Sequence, residues 1–222
     1  LIFAILAGYI NDWTTSMTAT GTLYIISAPS GAGKTSLVKA ILAGDSQVRV
    51  SVSDTTRVMR DGEQNGVDYN FVTMQTFDRQ IEEHVYLEYA DVFTNKYGTS
   101  KNWVDAQLVS GVDVVLEIDW QGAQQVRNLV KDAVSIFILP PSQAELRSRL
   151  QGRGTDEQAV VDHRMENSVG EIEHYAEFDY LVINDQFEIA LQELLCIFKA
   201  QRLRQAQQQL RHEKLLTDLL VK

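Results

Sequence analysis

The sequence predicts a three-layer α/β fold: a central parallel sheet covered by helices on both faces, with an inserted α+β flap and a helical lid. Three observations carry this. A β-rich run at 22–27 ends in a Gly-rich loop and passes directly into a helical segment. Two later runs, 112–118 and 134–139, are almost continuously apolar, as strands buried on both faces are. Helical segments alternate with these strands, which is how parallel strands are connected.

The elements follow in order. Residues 22–27 (T-L-Y-I-I-S) form the first strand, and 34–43 a helix closed by Gly44. Residues 48–52 read as a second strand. Residues 54–70 are polar and turn-rich. Residues 69–73 and 85–93 read as strands, with a helix at 75–83 between them, and together they suggest a flap set into the main fold. The segment 101–110 is helical and stops at Gly111. Strand 112–118, helix 122–130 and strand 134–139 follow, and Pro140-Pro141 ends the last of these. Residues 142–150 form a helix that Gly152 and Gly154 break. Thr155 then caps a new helix, with Gln158 at the capping-box position. Residues 179–183 are the last strand. Residues 187–220 read as one long helical region with apolar positions at Leu191, Leu195, Phe198, Leu203, Ala206 and Leu210.

Composition narrows the function. The chain has 222 residues, 45% hydrophobic and 23% charged, which fits one globular domain, or one core with inserted flaps, and excludes a disordered or fibrous protein. Its formal net charge is −10, against the basic face that general nucleic-acid binding needs, but a local arginine cluster can still hold a small anion. The single cysteine, Cys196, makes no internal disulfide and no Cys-based zinc site, and it fits a reducing cytoplasm; its apolar helical setting predicts a buried small hydrophobe. His84, His163, His174 and His212 lack metal-ligand spacing and read as structural or surface residues. Residues 1–10 are apolar but too short to span a bilayer, and no Lys or Arg precedes them as in a signal peptide. We read residues 1–16 as an upstream extension, with the native chain beginning at Met17 and the domain running over 17–222; a weak interfacial anchor is the alternative. No membrane span is expected.

Residues 27–36 read S-A-P-S-G-A-G-K-T-S. The phosphate-loop pattern G-x-x-x-x-G-K-[ST] is met at Gly33, Lys34 and Thr35, while Ala28 stands at the first glycine position. Such a loop wraps backbone N–H groups round a phosphate, at the positive end of the following helix. Ala28, Pro29, Ser30, Gly31, Ala32, Gly33, Lys34, Thr35 and Ser36 are therefore the expected ATP-binding segment. Lys34 would reach the β- and γ-phosphates, and Thr35 would offer its hydroxyl to Mg²⁺.

The next segment is more specific. Residues 53–71 read S-D-T-T-R-V-M-R-D-G-E-Q-N-G-V-D-Y-N-F, in which Arg57 and Arg60 supply two planar forks for a phosphate and Tyr69 a hydroxyl. This string, the L-E-Y-A segment holding Glu88, the triplet Tyr97-Gly98-Thr99, the I-D-W-Q-G segment holding Asp119 and the V-I-N-D segment holding Asn184 stand in the order found in guanylate kinases. The chain resembles that family, its bacterial members most, over about 21–204.

The resemblance implies ATP-dependent phosphorylation of GMP, and of dGMP, with Mg²⁺, in purine nucleotide metabolism. It implies a core over 21–52 and 101–222, a GMP-binding flap at about 53–100 and a lid at about 147–175. Arg57, Arg60, Tyr69 and Tyr97 would hold the GMP phosphate. Ser53, Glu88 and Thr99 would read guanine, beside Gly98. The chemistry agrees: guanine N1–H and N2–H are two donors that one carboxylate accepts, and O6 accepts from a hydroxyl, whereas adenine would leave a buried Glu88 unpaired. Glu117 and Asp119 would face GMP or, for Asp119, the metal through water. Met59 stands where the family commonly has Pro, and Glu117, one methylene longer, where it usually has Asp. Arg149, Arg153 and Arg164 match the arginines of the lid and, with Lys34, would be catalytic; Arg147 has no family role. Phosphoryl transfer needs charge neutralisation and exclusion of water, which a closing arginine-bearing lid provides. Asn184 would lie near the adenine of ATP.

Two other readings stay open on the sequence. One is a guanylate-kinase-like binding module without catalysis. The other is a kinase of another small phosphorylated acceptor. The long C-terminal helical region could pack on the core or support homo-oligomerisation.

Overall fold

A computed structural model describes residues 20–92, 94–152 and 158–221. The readings made for residues 1–16, for Thr155 and for Arg153 lie outside the described residues. The main sheet has five parallel strands: β1 (Leu23–Ser27), β2 (Val48–Val50), β7 (Asp113–Glu117), β8 (Val134–Leu139) and β9 (Tyr180–Ile183), in the order β2-β7-β1-β8-β9. Their side chains alternate between two cores. Tyr24 and Ile26 point to the face covered by α1 (Lys34–Gly44) and α7 (Phe187–Arg202), where Leu37, Ile41, Leu194 and Phe198 are fully buried. Leu23 and Ile25 point to the face covered by α3 (Lys101–Val109) and α4 (Trp120–Leu129), with Val104 and Val126. A strand with helices on both faces must be apolar at every position, which is why these runs carry no polar alternation.

The remaining strands, β3 (Asp54–Thr55), β4 (Asn70–Phe71), β5 (Tyr86–Val92) and β6 (Asn95–Ser100), form a second sheet in the order β4-β3-β6-β5, with α2 (Met74–Glu82) between β4 and β5. Strand β6, N-K-Y-G-T-S, was not expected from its polar composition. Cross-strand pairing holds it, antiparallel to β3 and β5. A Cβ on Gly98 would lie 2.9 Å from the stacked rings of Phe77 and Tyr86, so glycine is needed where β6 crosses them.

Helices α5 (Gln143–Gln151) and α6 (Gln158–Ile172) follow β8, joined by the ion pair Arg147–Asp162 at 2.5 Å, and a 3₁₀ turn (Glu173–Glu177) leads to β9. The C-terminal region is three helices rather than one: α7, α8 (Gln205–Arg211) and α9 (Glu213–Leu220). Leu203 is in the turn between the first two and is exposed. Cys196 is exposed, not buried. The inward stripe of α7 is Ala190, Leu194 and Phe198, and Cys196 is two residues from Leu194, on the other side of the helix. Arg202 closes this end by bridging Asp45 and Asp113, both at 2.7 Å. Among the described residues no helix is long and apolar enough to cross a membrane.

Candidate active site

Strand β1 is central, and the loop after it opens where the chain's crossovers diverge to either side of the sheet, the usual place for a ligand in a parallel sheet. A cavity of about 390 Å³ lies there, between this loop and the second sheet. The loop residues Ala28, Pro29, Ser30, Gly31, Gly33, Lys34, Thr35 and Ser36 line it. Gly31 (φ 88°) and Gly33 (φ 94°) have the left-handed backbone that curls the loop. Ala28 fills the first glycine position without disturbing this turn, since neither left-handed residue is at its site.

Parallel register sets Glu117 beside Ile26, two residues before the loop begins at Ala28. From there Glu117 accepts a short hydrogen bond from the Thr35 hydroxyl. The extra methylene relative to aspartate lengthens its reach toward Thr35. Lys34 Nζ donates to the Ile118 carbonyl at 3.2 Å, across the floor of the cavity. Asp119 lines the cavity and caps α4, accepting from Gly122 N–H at 2.9 Å.

The opposite wall is built by the second sheet. Glu88 and Thr99 are cross-strand partners on β5 and β6. The register of β5 is irregular between Tyr86 and Glu88, so Leu87 and Glu88 are both buried. Such a bulge re-aims a side chain, and here it turns Glu88 into the cavity while Leu87 stays in the core. Glu88 is only 3% exposed, and accepts from Thr99 Oγ1 at 2.5 Å. Burial first, then the nearby Asp119 charge, push its carboxyl up to about 7, against the opposing hydrogen bond from Thr99. Ser53 Oγ is 3.4 Å from Thr99 Oγ1. Ser53, Glu88 and Thr99 are thus one polar cluster, with Ser53 and Glu88 facing the phosphate loop. A Cβ on Gly122 would lie 2.6 Å from Glu88 Oε2, so the cluster depends on glycine there.

Tyr69 and Tyr97 line the cavity beside this cluster, their rings 5.8 Å apart. Arg57 lies over Tyr69, 5.3 Å from its centroid, and both terminal nitrogens donate to Glu63, at 2.8 and 3.1 Å. That bidentate bond holds the Arg57 guanidinium above and the Glu63 carboxyl below their ordinary ranges. Glu63 also accepts from Arg60 N–H at 2.8 Å, while Arg60 and Met59 are exposed.

Several expected residues have other settings. Asn184 is 5% exposed and donates to the Ala32 carbonyl at 2.7 Å, bracing the loop from beneath. Gly98 is packed under aromatic rings rather than in the cavity wall. Arg149 pairs with Glu145, 2.8 Å away on its own helix, and Arg164 is a half-buried residue of α6. Neither lines the cavity. Sequence reasoning missed Glu171, which does line it. Glu171 accepts from Ser30 N–H at 3.0 Å, and burial holds its carboxyl above the ordinary range. It also missed Glu63 as a partner, although Glu63 belongs to the string that carries Arg57 and Arg60.

The guanylate kinase family model matches residues 20–201. The chain belongs to the guanylate kinase family. The guanylate kinase of Saccharophagus degradans is 56% identical over 204 residues, covering 92% of this chain and all of that protein. The guanylate kinase of Chromohalobacter salexigens is 56% identical over 200 residues, covering 90% of this chain and 93% of its own. Among solved structures, the crystal structure of guanylate kinase from Anaplasma phagocytophilum superposes with a TM-score of 0.72 at 30% identity, covering 86% of this chain and 90% of that one. A guanylate kinase needs a phosphate loop facing a guanine reader across one cavity, and this chain has a Gly-rich loop facing a buried carboxylate–hydroxyl cluster.

Proposed function

We propose that this chain transfers the γ-phosphoryl group of ATP to GMP. An oxygen of the GMP phosphate attacks the γ-phosphorus, the bond from that phosphorus to the β,γ-bridging oxygen breaks, and its electron pair leaves on ADP. No side-chain nucleophile is required, because the acceptor phosphate is already an anion. The observation that carries the reading is Glu88, a buried carboxylate beside Thr99 and Ser53 on the wall opposite the phosphate loop. Its two oxygens can accept guanine N1–H and N2–H, and a hydroxyl of the cluster can serve O6. AMP would leave those groups unpaired, a mismatch that separates substrates by about four orders of magnitude or more.

Tyr69 and Tyr97 form the adjoining aromatic wall, with Arg57 stacked on Tyr69 behind it and Arg60 on the same loop, a setting suited to the acceptor phosphate. Lys34 neutralises the transferring group, together with Arg149, Arg153 and Arg164 when the lid closes. Asn184 acts by bracing the loop rather than by touching adenine. The paired oxygens of Thr35 and Glu117 suit a hard cation such as Mg²⁺, with Asp119 acting through water. Bound there, Mg²⁺ would supply charge neutralisation at the β- and γ-phosphates. None of the residues assigned is committed to the ribose 2′-hydroxyl, so dGMP is also a substrate. The single cysteine supports a cytoplasmic enzyme. The exposed Leu215, Leu216, Leu219 and Leu220 of α9 support homo-oligomerisation, which light scattering over a range of concentrations tests.

A coupled ADP-release assay with Mg-ATP and each of GMP, dGMP, AMP, CMP and UMP tests the reading, with Lys34→Ala as control. Turnover with GMP and dGMP, little with the others and loss in the control is expected. A folded protein without GMP-dependent ADP release would overturn it.

A further inference from the structure

Two side chains of helix α6 hydrogen-bond Ser30 of the phosphate loop, through both of its backbone groups. Glu171 Oε2 accepts from Ser30 N–H at 3.0 Å, and Ser168 Oγ donates to the Ser30 carbonyl at 3.4 Å. Ser168 is fully buried, so its hydroxyl needs this partner. Ser30 lies immediately before Gly31, whose left-handed backbone begins the curl of the loop. A clamp on both sides of Ser30 therefore fixes the crown of the loop as well as the helix.

The clamp also fixes a rotation. Arg164, Ser168 and Glu171 are spaced i, i+4 and i+7 on α6, nearly two full turns, so they lie on one face. Whatever holds Ser168 and Glu171 against the loop turns the Arg164 position toward the same side of the helix. The Glu171 carboxylate lines the cavity that donor phosphates would enter; burial and Asp119 oppose its charge there, and the Ser30 N–H and Lys34 favour it.

We infer that Glu171, with Ser168, is a positioning residue that locks α6 in rotational register with the phosphate loop and so aims Arg164 at the transferring phosphoryl group. This rests on the phosphotransferase reading above. Glu171 forms no bond to the reacting atoms; it acts through Ser30 and α6.

Steady-state kinetics of the full chain with Mg-ATP and GMP test this. Glu171→Ala should lower kcat by about tenfold to a hundredfold, the loss expected from a catalytic group displaced by about an ångström, with the KM for GMP unchanged. Glu171→Gln keeps an oxygen acceptor for Ser30 N–H and should recover most of that loss. Arg164→Ala and the double variant Arg164→Ala/Glu171→Ala should turn over at the same rate, because a misaimed arginine and an absent one are equivalent. Wild-type kcat in Glu171→Ala would overturn the inference, as would losses that multiply in the double variant. Should Glu171→Ala not fold, Ser168→Ala, which removes the other half of the clamp, gives the same comparison against Arg164→Ala and the corresponding double variant. If the wild type itself lacks GMP-dependent ADP release, the phosphotransferase reading fails first.

Discussion

Glu88→Gln separates what the buried carboxylate does for catalysis from what it costs the fold. Its carboxyl is raised from an ordinary 4.5 to about 7, mainly by burial. Below pH 4.5 it is protonated in both folded and unfolded chains. Between 4.5 and 7 the unfolded chain ionises and the folded one does not, so stability falls as pH rises, and above 7 the deficit is constant. A shift of that size corresponds to about 3 kcal/mol. Glutamine keeps the acceptor for Thr99 Oγ1 and removes the charge. The variant should therefore be more stable than the wild type by about 3 kcal/mol at pH 8, but by under about 1 kcal/mol at pH 5. For a domain of this size the pH 8 gain is a rise in Tm of roughly 6 to 12 °C. Thermal unfolding of both proteins at the two pH values measures it, without nucleotide. In the same preparations kcat/KM for GMP should fall by about a hundredfold or more, since one of guanine's two donors loses its acceptor and the amide adds a competing donor. A variant equally stabilised or equally destabilised at both pH values would refute the reasoning, because it would show that folding does not raise the pKa of Glu88.

Three further predictions follow from the same geometry. Gly122→Ala brings a Cβ to 2.6 Å from Glu88 Oε2 and should raise the KM for GMP by about tenfold, with little effect on that for ATP, in two-substrate kinetics. Glu117→Asp withdraws the carboxylate from Thr35, and a titration of ADP-induced thermal protection with Mg²⁺ should show a requirement about tenfold higher. Arg202→Met leaves Asp45 and Asp113 without their shared cation, and urea denaturation should show a loss of about 3 kcal/mol with kcat unchanged, since this bridge is remote from the cavity.

The legible parts of the fold were those in which one physical signal decides. Strands β1, β7 and β8 read correctly because burial on both faces demands an unbroken apolar run, and α1 because a Gly-rich loop starts it. Strand β6 was illegible because its partners decide it: Tyr97 and Gly98 pair with Thr55 and Asp54, and Gly98 fits under Phe77 and Tyr86, none of which leaves a period in N-K-Y-G-T-S. The break at Leu203 carries no glycine or proline to announce it. Cys196 misled because an apolar residue in an apolar helix can still face outward. In the site, the loop lysine and the two-arginine string are local patterns and could be found. Glu171 meets Ser30 across 141 positions, and nothing near either residue signals the other.

Four polar groups in or beside this cavity have partners within the chain. Glu63 fills the fork of Arg57, Glu117 holds the hydroxyl of Thr35, the Ile118 carbonyl holds Lys34 and Glu171 holds Ser30 N–H. In a partly dehydrated cleft, unpaired groups of this kind would each cost several kcal/mol, and internal partners let the empty site fold at little cost. Substrate binding by such a site is an exchange: a phosphate oxygen replaces a carboxylate or carbonyl oxygen, and the net gain is the difference between the two. That keeps affinities moderate while leaving the donors oriented, which is the condition under which fixed charges lower a barrier without reorganising during the reaction. Three of these four partners, Glu63, Glu117 and Ile118, sit within a few residues of groups expected to touch substrate, whereas the fourth, Glu171, comes from α6 and stays on Ser30, tying that helix to the loop.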